Sequence, residues 1–463
     1  MPTIPPFHAE LLRRYDRPGP RYTSYPTAPH FTQKFDARAY RQAARESNED
    51  PIPRSLSLYV HVPFCLSPCF YCGCNRIITR DLRRGETYLG HVQREIGLVA
   101  PLFDRDREVV QLHLGGGTPN FLKPELMEQL ILSLGREFRF STRADRDFSI
   151  ELDPRSVDPD GIAQLAELGF NRASLGIQDF DPEVQEAVNR VQSVDETLAV
   201  IEACRRHGFR SVNVDLIYGL PRQNLAGFAR TLDTVIATRP DRLAVYSYAH
   251  LPDLFKAQKQ IKVEDLLPPA MKLRLLELAI EKLSAAGYHY IGMDHFALPE
   301  DELARAQRNG SLQRNFMGYT THADTDLIGL GMSAISRIGD HFSQNARELG
   351  AYVAAVEADR QPVIRGLDLD GDDVLRADLI QHLMCQGEID KRDLESRYGI
   401  DFDAYFADGL EQLPPLIEDG LVTLEPGFIR VTQRGRLLMR IVAMCFDRYL
   451  QNVAEPVRFS RAI

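Results

Sequence analysis

Between about residues 55 and 250 the chain alternates short, β-branched apolar runs with amphipathic helical stretches. No other feature restricts its fold as much. The runs are SLSLYVHV (55–62), VVQLHLGGG (109–117), FSIELDP (148–154), FNRASLGIQ (170–178), SVNVDLIYG (211–219) and RLAVYSYAH (242–250). Between them, ETYLGHVQREIGLV, PELMEQLILSLG and VDETLAVIEACRRHG place apolar residues at i, i+3 and i+4, the period of a helix with one buried face. The last stretch opens with Ser193 and Glu196 in capping-box spacing and stops at Gly208. Six such units predict a parallel sheet with helices outside it, either curled into an incomplete (β/α)6 barrel or doubly wound. Glu151, Gln178 and Asp215 stand at the ends of three runs. Each alone reads as a turn or a cap. Together they mark the rim where barrel active sites sit.

The flanks read differently. Residues 1–50 lack a long period and are punctuated by Pro18, Gly19, Pro20, Pro26 and Pro29, which predicts an N-terminal arm. Its stretch PRYTSYPTAPHF (Pro20 to Phe31) suits an ordered arm or a lid. Residues 51–365 are expected to form the barrel with substrate loops. Within them a helix over 270–286 follows Pro268-Pro269 and stops at Gly287, and 291–336 reads as irregular, Gly-rich loops. After 366 the pattern becomes helix, helix, small β-ribbon and helix, a mainly helical, winged-helix-like C-terminal domain (366–463). With a net charge of −10 and no basic recognition face, that domain reads as a structural or lid element and not a DNA reader.

The same charge argues against nucleic-acid and acidic-membrane partners. The start MPTIPPFHAELLRRYDRPGP lacks the apolar stretch of a signal peptide, and no window approaches the roughly 18 apolar residues of a membrane helix. A cytoplasmic location is expected. Of seven cysteines, four fall within ten residues: Cys65, Cys69, Cys72 and Cys74. A secreted disulfide framework spreads its cysteines and numbers them evenly, so this pattern indicates a reducing compartment with one special sulfur site. Cys204, Cys385 and Cys445 are far apart and read as helix-packing residues.

The sulfur site lies on the loop after the first strand. Its spacing C-x3-C-x2-C offers three soft thiolates, enough for three corners of a [4Fe–4S] cube with one iron open. A structural zinc normally takes two separated pairs, which are missing here. Cys74 is only two residues from Cys72, which strains simultaneous ligation of different corners. Zinc and unliganded thiols remain the competing readings.

C-x3-C-x2-C after strand one resembles the signature of the radical S-adenosylmethionine (SAM) superfamily, whose usual fold is a six-unit partial barrel. The flanks narrow the resemblance. Tyr59-Val-His-Val-Pro-Phe-Cys, Cys72-Gly-Cys74-Asn, the arm Gly19-Pro-Arg-Tyr-Thr-Ser-Tyr-Pro-Thr and Arg314-Asn-Phe-Met-Gly-Tyr-Thr-Thr are similar to the oxygen-independent coproporphyrinogen III oxidase family, over nearly the whole chain. The resemblance implies oxidative decarboxylation of two propionates of coproporphyrinogen III to vinyls, giving protoporphyrinogen IX for heme synthesis through a 5′-deoxyadenosyl radical. It implies a [4Fe–4S] cluster held by Cys65, Cys69 and Cys72 and two SAM molecules. Tyr59, Gly116, Glu151 and Ile335 match the first SAM site, and Tyr71, Gly117, Thr118, Gln178, Arg190, Asp215 and Ala249 the second. Cys74 and Tyr59 are the candidate catalytic residues, with a packing thiol as the alternative for Cys74. Partners are coproporphyrinogen III, an electron donor and an electron acceptor, and the chain is expected to act as a monomer. One departure stands out: Met317 occupies a position where the family usually has Gln, and Met lacks an amide's hydrogen bonds. Because global charge repels a substrate with four carboxylates, recognition must be local, and Arg21 and Arg314 are the candidates. The alternative is a radical SAM relative that acts as a heme chaperone or degrades heme. From another class, a structural zinc protein or thiol redox relay would use the cysteines without SAM.

Overall fold

The computed structural model describes residues 7–322, 324–451, 459 and 461. All six apolar runs form strands: β1 (Ser55–Val62), β2 (Glu108–Gly116), β3 (Asp147–Leu152), β4 (Arg172–Gln178), β5 (Ser211–Tyr218) and β6 (Arg242–Ser247). Each pairs parallel with the next. The main crossover helices are α1 (Arg83–Val99), α2 (Pro124–Glu137), α3 (Pro159–Glu167), α4 (Val194–Arg206) and α5 (Leu225–Thr238). Ser193 caps α4 by accepting the Glu196 N–H at 3.3 Å. Beyond β1, the strand β7 (Thr325–Leu330) adds a further parallel neighbour. Then β8 (Ile335–Ile338), β9 (His341–Asn345) and β10 (Val363–Asp368) continue antiparallel.

The resulting order runs β6-β5-β4-β3-β2-β1-β7-β8-β9-β10. Chain order and spatial order coincide through six strands, which excludes the doubly wound alternative, where the order reverses at a switch point. The sheet is the open form of the barrel and does not close on itself.

Period-two alternation explains where the site lies. Leu56, Leu58, Val60 and Val62 of β1, Phe148, Ile150 and Leu152 of β3, and Val212, Val214 and Leu216 of β5 are buried on one face. The intervening positions carry Ser57, Tyr59 and His61, then Ser149 and Glu151, then Asn213 and Asp215 on the opposite face. One side of the sheet therefore supplies the core and the other a polar interior.

The stretch over 291–336, read from sequence as irregular loops, is largely regular. It holds the strands His289–Gly292 and His295–Ala297, a helix Glu302–Asn309 capped by Asp301, and a hairpin of Gln313–Asn315 with Gly318–Thr320, before β7 and β8. Strands of three or four residues are too short to show a period.

Two compact units emerge. One comprises residues 31–271 and 324–368, and the other the described residues of 1–30, 272–323 and 369–463. In the second, a helix Gly371–Gln386 opens with a reciprocal capping box between Asp370 and Asp373 and closes at Gly387 in the left-handed region. It packs with a helix Lys391–Tyr398 and a three-stranded antiparallel sheet of Glu388–Asp390, Phe428–Val431 and Val422–Leu424. Leu379, Leu383, Phe402, Phe406 and Phe446 form its core. The arm joins this unit: Arg14 and Tyr15 bind Asp419, Tyr22 donates to Asp447 at 2.9 Å, and Arg440 Nε donates to the Pro20 carbonyl at 2.9 Å. Among the described residues no helix is long and apolar enough to cross a membrane.

Candidate active site

The sulfur loop is closed at its base by pairing of Phe64-Cys65 with Ile77-Ile78. Arg76 shapes its interior, donating to the carbonyls of Cys72 (2.9 Å) and Cys69 (3.1 Å). Beside it, the glycines ending β2 allow a close approach. Gly116 adopts φ 118°, and a Cβ there would meet the His61 ring at 2.6 Å. A Cβ on Gly117 would lie 2.7 Å from the Pro63 carbonyl. Together the loop and the strand ends enclose a cavity of about 480 Å³. It is lined by Cys65, Cys69, Cys72, Cys74, Tyr71, Gly116, Gly117, Thr118, Glu151, Gln178, Arg190 and Asp215.

Hydrogen bonding separates the four cysteines. Three sulfurs accept: Cys65 Sγ from Thr118 Oγ1 (3.4 Å), Cys69 Sγ from Arg190 (3.5 Å) and Arg155 (3.8 Å), and Cys72 Sγ from the Cys74 N–H (3.4 Å). The Cys74 thiol instead donates to Cys72. That bond draws the Cys72 thiol down to about 6 against its burial, with the charge of Arg76 assisting. The same bond, with burial, holds Cys74 well above the ordinary thiol range. Burial pushes Cys65 up to about 11, opposed by Thr118. Three sulfurs supplied with donors suit anionic ligation by three cysteines, because hydrogen bonds to sulfur stabilise cluster thiolates. Among the described residues, no three His, Cys, Asp or Glu side chains are gathered to grip a single metal ion.

The carboxylates come from β3 and β5, the two strands that flank β4. Glu151 accepts the Gly116 N–H at 3.1 Å and faces His113 Nε2 at 3.4 Å. Burial pushes its carboxyl up, but His113 and the Gly116 N–H outweigh burial and hold it below the usual range. Asp215 accepts from Ser174 (3.0 Å) and Asn213 (2.9 Å). Burial pushes it up to about 6, Ser174 and Asn213 opposing and the charge of Glu151 adding. Gln178 holds a positive φ of 68° at the end of β4, and Arg190 donates to the Gly176 carbonyl at 2.6 Å.

Three sequence candidates sit outside the cavity lining but beside it. Tyr59 shares a hydrogen bond with His61 Nδ1 at 3.0 Å and stacks on His113, which faces Glu151. Ile335 opens β8, and its carbonyl would lie 2.5 Å from a Cβ on Gly329, the register partner of Tyr59. The Ala249 carbonyl is tied to that of Tyr71, since Gln258 Nε2 donates to both (3.1 and 2.9 Å). Arg21 and Arg314 lie in the other compact unit. There they meet each other: Arg21 pairs with Asp294, and Arg314 donates to the Arg21 carbonyl at 2.8 Å. Met317, in the same unit, sits in the turn of the 313–320 hairpin, its N–H bound to Asn315 Oδ1 at 2.8 Å.

Sequence reasoning passed over Arg76, Asp153, Arg155, His113, Ser174 and Asn213. The signal for the last three was the alternation on the strands, where polar residues recur every second position. Asp153-Pro154-Arg155 was hidden because a strand-ending Asp-Pro reads as a turn. A larger cavity of about 580 Å³ lies on the helical side and shares Arg155 and Ser156 with the sulfur site. Two of its polar walls already satisfy each other, Asn120 donating to Ser156 at 2.8 Å. The sulfur cavity is therefore the candidate active site.

Comparisons with known proteins identify the family of the chain. The family described as Radical SAM superfamily matches residues 59–235, and that described as HemN C-terminal domain matches 369–438. The chain is 49% identical over 455 residues to the oxygen-independent coproporphyrinogen III oxidase of Pseudomonas aeruginosa, covering 98% of each. It is 48% identical over 453 residues to the Escherichia coli K12 protein of the same name, again covering 98% of each. The solved structure of coproporphyrinogen III oxidase (HemN) from Escherichia coli, a radical SAM enzyme, superposes with a TM-score of 0.91 at 46% identity, covering 96% of this chain and 100% of that one. This chain belongs to the oxygen-independent coproporphyrinogen III oxidase family of radical SAM enzymes.

Proposed function

We propose that this chain converts two propionates of coproporphyrinogen III to vinyls without oxygen, giving protoporphyrinogen IX in heme biosynthesis. The [4Fe–4S] cluster and SAM follow from its family. Full-length similarity to the oxidases favours this reading over a heme chaperone or heme-degrading relative. The observation that carries it is convergence: three acceptor cysteines, two strand-end carboxylates, Gln178 and Arg190 line one cavity.

Cys65, Cys69 and Cys72 would hold three irons of the cluster and leave the fourth for the first SAM. When bound, cluster and SAM would supply the radical chemistry that takes a β-hydrogen from each propionate, the vinyl following by loss of CO2 and of one electron to the acceptor. Tyr59, Gly116, Glu151 and Ile335 are assigned to the first SAM. Glu151 stays ionised and so can accept hydrogen bonds from a cationic ligand. A second SAM is assigned to Tyr71, Gly117, Thr118, Gln178, Arg190, Asp215 and Ala249. Arg190 Nε is buried without a partner among the described residues, a donor left over for a ligand carboxylate. Cys74, held as the thiol, sits at the rim where it can give up hydrogen. Arg21 and Arg314 are assigned to substrate carboxylates. The electron donor and acceptor complete the balance, and the chain is placed in the cytoplasm as a monomer.

The test is anaerobic incubation of cluster-loaded protein with dithionite, SAM and coproporphyrinogen III. Protoporphyrinogen IX with 5′-deoxyadenosine is expected; 5′-deoxyadenosine without decarboxylated porphyrin overturns the assignment. Arg21→Gln and Arg314→Gln should raise the substrate KM while uncoupled SAM cleavage persists. Met317→Gln should raise turnover severalfold if the missing amide limits it, and an unchanged rate rejects a role for that position.

A further inference from the structure

The three ligand sulfurs are not equivalent. Cys65 receives one neutral hydroxyl, and Cys72 receives the N–H and thiol of Cys74. Cys69 alone receives cations: Arg190 NH1 at 3.5 Å and Arg155 NH2 at 3.8 Å, besides the Tyr71 hydroxyl. Both guanidiniums are held by one carboxylate. Asp153 grips Arg155 through Nε (2.9 Å) and NH2 (2.6 Å), and lies 3.4 Å from each terminal nitrogen of Arg190. It also accepts the Arg155 N–H at 3.1 Å, in a turn whose φ Pro154 restricts. Two cations against one anion leave a net positive charge beside a buried cysteine, Cys69, that is only 8% exposed.

We propose that Asp153 and Arg155 are positioning residues that act through Cys69 to raise the reduction potential of the cluster. The proposal rests on Cys69 being a cluster ligand. An added electron makes the cluster more anionic, so charge-assisted N–H···S bonds stabilise the reduced form more than the oxidised one. Asp153 keeps two long side chains aimed at one sulfur, and the fork of Arg155 reaches both the carboxylate and the thiolate, which a lysine ammonium cannot match.

The experiment is an EPR-monitored redox titration of full-length, anaerobically reconstituted protein, with iron and sulfide counted in every sample. Arg155→Gln should make the cluster roughly tenfold harder to reduce, a midpoint ~59 mV more negative for one electron. Arg155→Lys should fall between the two and serves as the deciding variant if Arg155→Gln loses its cluster. In an Asp153→Asn background the step caused by Arg155→Gln should shrink to less than half, because the guanidinium is no longer aimed. A merely structural role would lower cluster occupancy and leave the midpoint of the bound cluster in place. An unchanged midpoint in a fully loaded variant, or an equal step in both backgrounds, overturns the proposal. Absence of iron and sulfide from the unsubstituted chain would instead overturn the cluster assignment beneath it.

Discussion

Two glutamates of the same compact unit have opposite fates. Glu95, in the last turns of α1, is 1% exposed, and its oxygens accept from the Gly331 N–H, Asn345 Nδ2 and the Tyr352 hydroxyl, each at 2.7 Å. These partners tie α1 to the turn after β7, the end of β9 and the helix Leu349–Glu357. Burial pushes the carboxyl up to about 7 despite all three donors. Glu151, near the end of β3, has a side chain 46% exposed, lines the sulfur cavity, and is held below the usual range by His113 and Gly116. Glu95 is a joint, with three donors of the fold closed around a buried carboxyl. Glu151 keeps its charge and unused lone pairs toward an open space, as a binding group must.

The strongest way to break this contrast is to neutralise each in turn. Glu151→Gln should lower SAM-dependent 5′-deoxyadenosine formation about 100- to 1000-fold, the size of effect seen when one preorganised electrostatic partner is removed. Its denaturation midpoint should move less than that of Glu95→Gln, since a glutamine oxygen can still accept the Gly116 N–H. Glu95→Gln should show the reverse, with cleavage retained and stability changed. SAM cleavage that survives Glu151→Gln would remove the distinction.

The same contrast shows what could be read in advance. The six βα units were legible because each strand is an apolar run of six to nine residues, with clear alternation in β3 and β5, followed by helical periodicity. Glu151, Gln178 and Asp215 were legible as polar ends of those runs. The cysteine loop was legible from spacing alone, and the family resemblance sorted its neighbours. Glu95 was not legible as a joint, because a glutamate within QREIGLV reads as a solvated helix face; its partners lie 236 to 257 residues away. Asp153 and Arg155 were missed for the same reason, since their meaning comes from Arg190 and Cys69, 37 and 86 residues distant. Local pattern fixes elements, whereas charge pairing across strands depends on which elements become neighbours.

Glu95 also makes a prediction about pH. In the unfolded chain its carboxyl titrates near 4.5, and in the folded chain near 7. Between those values the folded state holds the extra proton, so this contribution to stability is fully present below pH 4.5 and is lost as pH rises through 7. The loss approaches about 3 kcal/mol, at ~1.36 kcal/mol per pH unit of difference. Urea denaturation from pH 5 to 8 should show a decline that Glu95→Gln removes. An equal slope in both proteins would assign the pH dependence to other groups.

The smallest effect is the most discriminating. Tyr352→Phe removes one of the donors to Glu95 and leaves the ring packed against Tyr88 (centroids 5.7 Å apart). Losing one such bond should cost about 1 kcal/mol. That bond favours the ionised carboxyl, so without it the folded Glu95 carboxyl rises further and the decline in stability extends above pH 7. The cost of Tyr352→Phe should therefore be smaller at pH 5 than at pH 8. In a Glu95→Gln background the pH dependence of that cost should vanish, because no charge remains for the hydroxyl to stabilise. A cost that is the same at both pH values in the parent chain would mean that the hydroxyl braces the fold without sensing the carboxylate, and Glu95 would then differ from Glu151 in burial alone.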